Sequence, residues 1–99
     1  MKTWRILYDP AALADLDSIY FWVASNAGVA AADRFVGRLL GFCDQLRHFP
    51  KRGAVRDDIM PGARLIGFEK SVSIAFLVDE KGDAVRIFRL LYRGRRLEA

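Results

Sequence analysis

The chain of 99 residues has a single cysteine, Cys43, and therefore cannot form an intrachain disulfide. It also has only three prolines and no apolar run near the roughly 20 residues that a membrane-spanning helix needs. Because no secretory signal follows Met1, we expect a cytoplasmic protein with no membrane partner and one thin apolar core. Cys43 has no His or Cys at metal-ligand spacing, so we interpret it as a buried structural thiol and expect neither a metal site nor a cofactor.

The charges are unevenly divided between the two halves of the sequence. Of 16 basic and 12 acidic residues, four basic and five acidic lie in residues 1–45, while twelve basic and seven acidic lie in residues 46–99. The apolar fraction of 53% excludes a disordered chain and a purely electrostatic nucleic-acid tail. Twelve of the cations are arginine, which favours bidentate contacts with carboxylate or phosphate. The second half is therefore expected to meet an acidic partner, either nucleic acid or an acidic protein segment.

Hydrophobic periodicity predicts a single α+β domain over residues 1–99, with the element order β-α-α-β-β-β. Three- and four-residue spacing of apolar side chains predicts two helices that form an antiparallel hairpin, and alternation predicts the strands. We expect the hairpin to pack on one face of a small, mainly antiparallel sheet. The predicted elements are strand Thr3–Tyr8, a helix of about four turns from Pro10 with Asp9 as N-cap, helix Val29–His48, strand Ala63–Phe68, strand Val72–Val78 and strand Ala84–Tyr92.

Three local patterns refine this prediction. Leu13 and Phe49 belong to the apolar stripes of the two helices and are expected in the core. Gly37 and Gly41, four residues apart, suggest a close approach of the second helix to the first. In the last strand, strict alternation places Val85, Ile87, Arg89 and Leu91 on one face and Arg86, Phe88, Leu90 and Tyr92 on the other. Neither face is purely apolar, so this strand is expected to carry function or to lie at an edge.

Four stretches of the sequence resemble the ParE/RelE superfamily of bacterial type II toxins, and the ParE branch in particular. The stretch 87–96, IFRLLYRGRR, is similar to the family's closing strand, I-x-R-V-L-H-G-R-R. Tyr92-Arg93 here replaces the single His before Gly, and Leu97 replaces the usual Asp after the double Arg. The other stretches are Ala12, Asp15, Leu16 and Ile19 in the first helix, Pro50 and Gly53 in the loop that follows the second helix, and Pro61-Gly62-Ala63-Arg64 at the start of the sheet.

This resemblance implies a toxin of a plasmid-stabilisation type, which arrests growth and is neutralised by a cognate antitoxin. ParE members act on DNA gyrase, whereas RelE members bind the ribosome and cut messenger RNA. The resemblance therefore implies a gyrase inhibitor that forms a hetero-oligomer with a ParD-like antitoxin and reaches operator DNA only through that antitoxin. Two alternatives stay open, a ribosome-dependent mRNA endoribonuclease and a decayed toxin that only binds its antitoxin.

The candidate site residues differ between a ribonuclease and a non-enzymatic toxin. A ribonuclease needs groups that move protons and stabilise a crowded phosphate, and Tyr92, Arg89 and Arg95 are the candidates here. No Tyr or His follows the arginines of the sequence, so a non-enzymatic toxin without catalytic residues is favoured. The residues expected to bind the target or the antitoxin are Arg64, Arg89, Tyr92, Arg93, Arg95, Arg96 and Trp22.

Two of these residues have specific structural alternatives. Arg89 lies mid-strand among apolar residues, where an unpaired cation is costly, so it must face a groove, a partner or an internal carboxylate such as Glu69 or Asp79. Phe21 and Trp22 lie between Tyr20 and Val23 of the apolar stripe of the first helix, and at least one of them is expected outside the core. Asp15 and Asp17 are expected to have a structural or antitoxin-facing role, since negative charge suits the start of a helix.

Overall fold

A computed structural model describes residues 2–92, and these residues form two helices packed against one face of a five-stranded sheet. The sheet has the order β1-β5-β4-β3-β2, with β1 parallel to β5 and every other pair antiparallel. The predicted α+β architecture is confirmed. The elements are β1 Arg5–Tyr8, α1 Pro10–Ala27, α2 Val29–Asp44, a short 3-10 helix Gln45–Arg47, β2 Ala54–Val55, β3 Ala63–Phe68, β4 Val72–Asp79 and β5 Ala84–Tyr92.

The helical hairpin turns on a single residue, Gly28. Its φ of 95° lies in the left-handed region, where glycine carries no Cβ penalty, so α1 runs through Ala27 and α2 begins directly at Val29. Asp9 occupies the N-cap position of α1 but makes no capping hydrogen bond, because its carboxylate pairs with Arg86 instead. Neither helix within residues 2–92 is long and apolar enough to cross a membrane.

The main core lies between the hairpin and the sheet. Phe76, Ile74 and Leu90 from the sheet meet Ile19 and Leu39 from the helices, and all five side chains are almost completely buried. The prediction that Leu13 and Phe49 belong to this core is wrong, since they are 49% and 64% exposed. The buried stripe of α1 is rotated relative to the prediction and consists of Ala12, Asp15, Ile19 and Val23.

The predicted role of Gly37 and Gly41 is also wrong. Both glycines are exposed, and a Cβ built at either position meets no atom within 4 Å. Close approach of a neighbouring backbone is therefore not the reason for glycine here. Gly53 does require glycine, since it has a φ of 77° and a Cβ there would clash with the backbone carbonyl oxygen of Leu65.

A β-bulge in β5 changes the predicted faces of that strand. In β4, Ala75 and Phe76 are consecutive, but their partners in β5 are Arg89 and Ile87. Phe88 is therefore the extra residue of the bulge. Val85 and Ile87 pack under the helices before the bulge, and Leu90 does so after it, whereas Phe88 packs with Ala63 and Ala75 in a second cluster. Strict alternation therefore fails after Ile87, and Leu90 and Phe88, which were predicted to share a face, lie in different clusters.

Candidate functional site

The second half of β5 is the part of the sheet where α1 replaces a neighbouring strand. β1 pairs with β5 only from Ala84 to Ile87, and the amide of Asp9 donates the last bond to the carbonyl of Ile87. β1 then ends, because Pro10 starts α1 and lacks the amide that a further pair would need. Residues 88–92 consequently continue beyond β1, and α1 contacts this part of the strand.

Asp15 of α1 occupies the edge that β1 leaves open. Its carboxylate accepts bonds from Arg89 Nε at 2.7 Å and Nη2 at 3.0 Å, and from the backbone amide of Leu90 at 2.9 Å. The bidentate geometry is the strongest form of a carboxylate–guanidinium pair. Hydrogen bonding to Asp15 raises the pKa of Arg89 above its ordinary value. Within residues 2–92, Asp15 is the one buried polar or charged residue, and it is 8% exposed.

Of the alternatives for Arg89, the structure therefore shows an internal carboxylate, but not one of the two named from the sequence. Glu69 forms a bidentate pair with Arg38 on the surface, and Asp79 accepts the amides of Lys81 and Gly82 in the β4–β5 loop. The sequence does contain a signal for Asp15. It lies on the stripe formed by Ala12, Ile19 and Val23, and a carboxylate on a buried stripe requires a donor from another element.

Two aromatic side chains lie at the end of β5. The rings of Trp22 and Tyr92 meet edge to face with centroids 5.1 Å apart, and the ring of Phe35 of α2 also meets that of Tyr92 edge to face, with centroids 6.0 Å apart. Tyr92 is half-buried against the main core, whereas Trp22 is 41% exposed. Phe21 is 70% exposed, so the prediction that at least one of Trp22 and Phe21 lies outside the core is confirmed, and both do.

The structure brings together three of the predicted site residues, namely Arg89, Tyr92 and Trp22. Arg64 lies elsewhere, since it pairs with Phe76 while Tyr92 pairs with Val72, four positions along β4. Because β4 lies between β3 and β5, the two residues are also two strand spacings apart, and roughly 17 Å separates Arg64 from Tyr92. Arg64 donates to the carbonyl of Arg52 and lines a surface groove of about 500 Å³ with Lys51, Val78 and Lys81. Arg93, Arg95 and Arg96 lie outside the described residues.

The other strand cations near this site also have partners within the chain, an ion pair for Arg86 and a backbone hydrogen bond for Arg5. Arg86 bonds to the carboxylate of Asp9 at 2.9 Å, and Arg5 donates to the carbonyl of Gly82 at 2.9 Å. β4, the central strand of the sheet, has no cation among its residues Val72–Asp79. The described sheet therefore presents arginines that are already paired rather than a cluster of free positive charge.

Cys43 is buried, as predicted, and lies against Tyr8 of β1. Burial raises the pKa of the Cys43 thiol to about 11, and a hydrogen bond from Tyr8 partly opposes this effect. Burial also raises the pKa of the Tyr8 hydroxyl. A thiol that stays protonated at neutral pH is a poor nucleophile, which fits a structural role. In the described part of the chain, no group of three or more His, Cys, Asp or Glu side chains could bind a metal ion.

Comparison with solved structures defines the class of protein. The chain is similar to a chain of the chromosomal ParDE toxin–antitoxin system from P. aeruginosa, with 26% identity, a TM-score of 0.77 and coverage of 91% of this chain and 96% of that one. Two further matches show the fold alone. They are a chain of the toxin–antitoxin complex RelBE2 from Mycobacterium tuberculosis (16% identity, TM-score 0.70, 96% and 97% coverage) and one of the intact RelBE complex from E. coli (15%, 0.59, 93% and 99%).

These similarities identify the fold as that of the ParE/RelE toxins. A family model described as the ParE toxin of the type II toxin–antitoxin system parDE matches residues 6–97. The chain belongs to this ParE toxin family. No curated protein sequence matches it.

Proposed function

We propose that this ParE-family toxin acts by binding DNA gyrase, and that a ParD-like antitoxin neutralises it in a hetero-oligomer. Family membership over residues 6–97 carries the proposal, since gyrase is the target that the ParE resemblance implies. The ParDE similarity supports an antitoxin partner, because the related chain belongs to a toxin–antitoxin system. Operator DNA is then reached through the antitoxin and not through this chain.

The geometry at the end of β5 favours this function over RNA cleavage. A ribonuclease of the RelE kind needs proton-transfer and phosphate-binding groups that converge on one point. Two nitrogens of the Arg89 guanidinium, Nε and Nη2, are hydrogen-bonded to Asp15. The Tyr92 ring packs against Trp22 and Phe35. These two candidates for RNA chemistry therefore serve the packing of β5 on the hairpin, which leaves a binding role as the better account.

The exposed aromatic residues of α1 are the surface that we assign to the antitoxin. Trp22 and Phe21 are large, exposed and adjacent on the helical hairpin, and such side chains dominate the binding energy of many interfaces. Trp22 is also oriented by its contact with Tyr92, so less side-chain entropy is lost when a partner covers it. Arg64, Arg89, Tyr92, Arg93, Arg95 and Arg96 remain the proposed cationic and aromatic contacts to target or antitoxin.

A gyrase supercoiling assay tests the proposed target. Purified toxin, freed from its antitoxin, is added to gyrase and relaxed plasmid, and we expect loss of supercoiling that is restored by excess antitoxin. Unchanged supercoiling would rule out gyrase inhibition. Primer extension on translated mRNA is the companion experiment, since codon-positioned cuts that disappear with Tyr92→Phe would establish the ribonuclease instead. Expression without antitoxin and without growth arrest would indicate a decayed toxin.

The antitoxin surface is tested by alanine substitution. Trp22→Ala is expected to weaken antitoxin binding by about 30-fold, the equivalent of about 2 kcal/mol for an aromatic hot spot. Phe49→Ala is the matched control, because Phe49 is also a strongly exposed aromatic residue but lies beyond the opposite end of α2. Titration calorimetry measures both. Equal affinities of the two variants would show that the aromatic residues of α1 are not the antitoxin contact.

A further inference from the structure

The second half of β5 is seated on one face of α1 by residues at helical spacing. Asp15, Ile19 and Trp22 follow the i, i+4, i+7 pattern, which places them along one side of the helix. Asp15 bonds to Arg89 and Leu90, Ile19 shares the buried core with Leu90, and Trp22 contacts Tyr92. The three contacts follow one another toward the C-terminal ends of both elements, so α1 contacts β5 up to its last described residue.

Asp15 is the polar member of this face, and all three of its hydrogen bonds come from β5. The amide of Leu90 lies beyond the end of β1 and would lack a protein acceptor without this carboxylate. Because the guanidinium of Arg89 is bound by the same two oxygens, both backbone and side chain of β5 are fixed to one helical position. A neighbouring strand would satisfy the amide but would not tie it to the hairpin.

The position of Asp15 in α1 excludes a simpler explanation. It is the sixth residue of the helix, beyond the first turn in which a negative charge interacts most favourably with the helix dipole. Asp17 carries the same charge two residues later and is exposed. A buried carboxylate that gains little from the dipole is retained only with a full set of donors, and β5 supplies that set.

We propose that Asp15 is a positioning residue, which fixes the end of β5 from Arg89 to Tyr92 and thereby places Tyr92, a proposed contact of the target. The proposal rests on the proposed function, since it assumes that this end of the chain contacts the target. Trp22 and Phe21 belong to α1 itself, so a loosened β5 is expected to affect the antitoxin surface only through the contact between Trp22 and Tyr92.

The test compares Asp15→Asn with Asp17→Asn, the same change of charge at an exposed position of the same helix. The full chain is purified with its antitoxin, and antitoxin affinity, amide exchange and growth arrest after antitoxin removal are measured. For Asp15→Asn we expect antitoxin affinity within about threefold of wild type, exchange of the Leu90 amide at least tenfold faster relative to that of Ile74, and growth arrest reduced at least tenfold. Asp17→Asn is expected to match wild type in all three.

A purely structural role would lower antitoxin binding and growth arrest together, because both would follow the folded fraction. Such a parallel loss, or wild-type growth arrest by Asp15→Asn, would overturn the proposal. If Asp15→Asn does not fold, Arg89→Lys keeps the Leu90 bond and one cationic donor, and an intermediate loss of growth arrest is expected. Wild-type arrest by Arg89→Lys would then count against the proposal. Growth arrest reports toxicity whatever the target is, so the effect of Asp15→Asn can be measured even if the target is not gyrase. Gyrase inhibition is tested separately by the supercoiling assay.

Discussion

The Asp15–Arg89 pair offers a direct measurement of what burial does to an ion pair in this fold. The side chain of Asp15 is 10% exposed and that of Arg89 is 34% exposed. The surface pair Arg38–Glu69 has the same bidentate geometry, with bonds of 2.8 and 3.0 Å, but its side chains are 53% and 40% exposed. The two pairs share their bidentate geometry but differ in solvent access and in the Leu90 amide that also donates to Asp15, so double-mutant cycles are needed to compare the pairs themselves.

Removal of one partner has a different cost in the two pairs. Asp15→Ala leaves the Leu90 amide without its acceptor and Arg89 without its counter-charge, which we expect to lower the free energy of unfolding by about 3 kcal/mol. For a domain whose total stability is typically about 5–15 kcal/mol, this loss is large. Glu69→Ala breaks only exposed contacts, so its effect on the free energy of unfolding is expected to be much smaller.

Double-mutant cycles in urea isolate the pair energies. The cycle of Asp15→Asn with Arg89→Gln should give a coupling of about 2 kcal/mol, and that of Glu69→Gln with Arg38→Gln should give a clearly smaller coupling. The slope of stability against urea should stay unchanged, since no cycle removes much apolar surface. Equal couplings in the two cycles, or a coupling below about 0.5 kcal/mol for Asp15–Arg89, would refute the reasoning that burial strengthens this pair.

Two further predictions concern alkaline stability and the end of the chain. Burial raises the pKa of the Cys43 thiol from 9.0 to about 11. The buried neutral thiol therefore makes its full contribution to the free energy of unfolding below pH 9, and about 3 kcal/mol of this contribution is lost as the pH rises through 11. Urea unfolding at pH 8 and pH 11 should show a smaller decline for Cys43→Ala than for wild type, and equal declines would contradict the assignment. A chain that ends at Tyr92 keeps the Trp22 and Phe35 contacts, so it should retain antitoxin affinity within about threefold but lose growth arrest. Undiminished growth arrest by this shortened chain would place the target contact within the described domain.

The features predicted correctly from the sequence depend on local patterns. The helical hairpin follows from apolar spacing within each helix and from a glycine between them, and β3 to β5 follow from alternation and short turns. β2 was missed because its two residues, Ala54 and Val55, are exposed and are defined only by backbone pairing with β3. No periodicity in the side chains of so short a segment could reveal it.

The features that were missed at the site depend on distant parts of the chain. The bulge at Phe88 arises from the register between β4 and β5, so alternation within β5 alone predicts the wrong faces after Ile87. The Asp15–Arg89 pair joins residues 74 positions apart, and it exists because β1 is shorter than β5. The sequence indicated that Arg89 must face a groove, a partner or an internal carboxylate, and only the topology shows that it faces a carboxylate and that this is Asp15.

Trapping of the gyrase–DNA intermediate is the most direct test of the central claim that this ParE-family chain acts on gyrase. Toxin, gyrase and supercoiled plasmid are mixed, the reaction is stopped with detergent, and linear DNA bound to protein is measured. We predict that linear DNA accumulates when toxin is added alone and is suppressed when antitoxin is added before the toxin. Absence of linear DNA at every toxin concentration, from a preparation that arrests growth, would contradict the account.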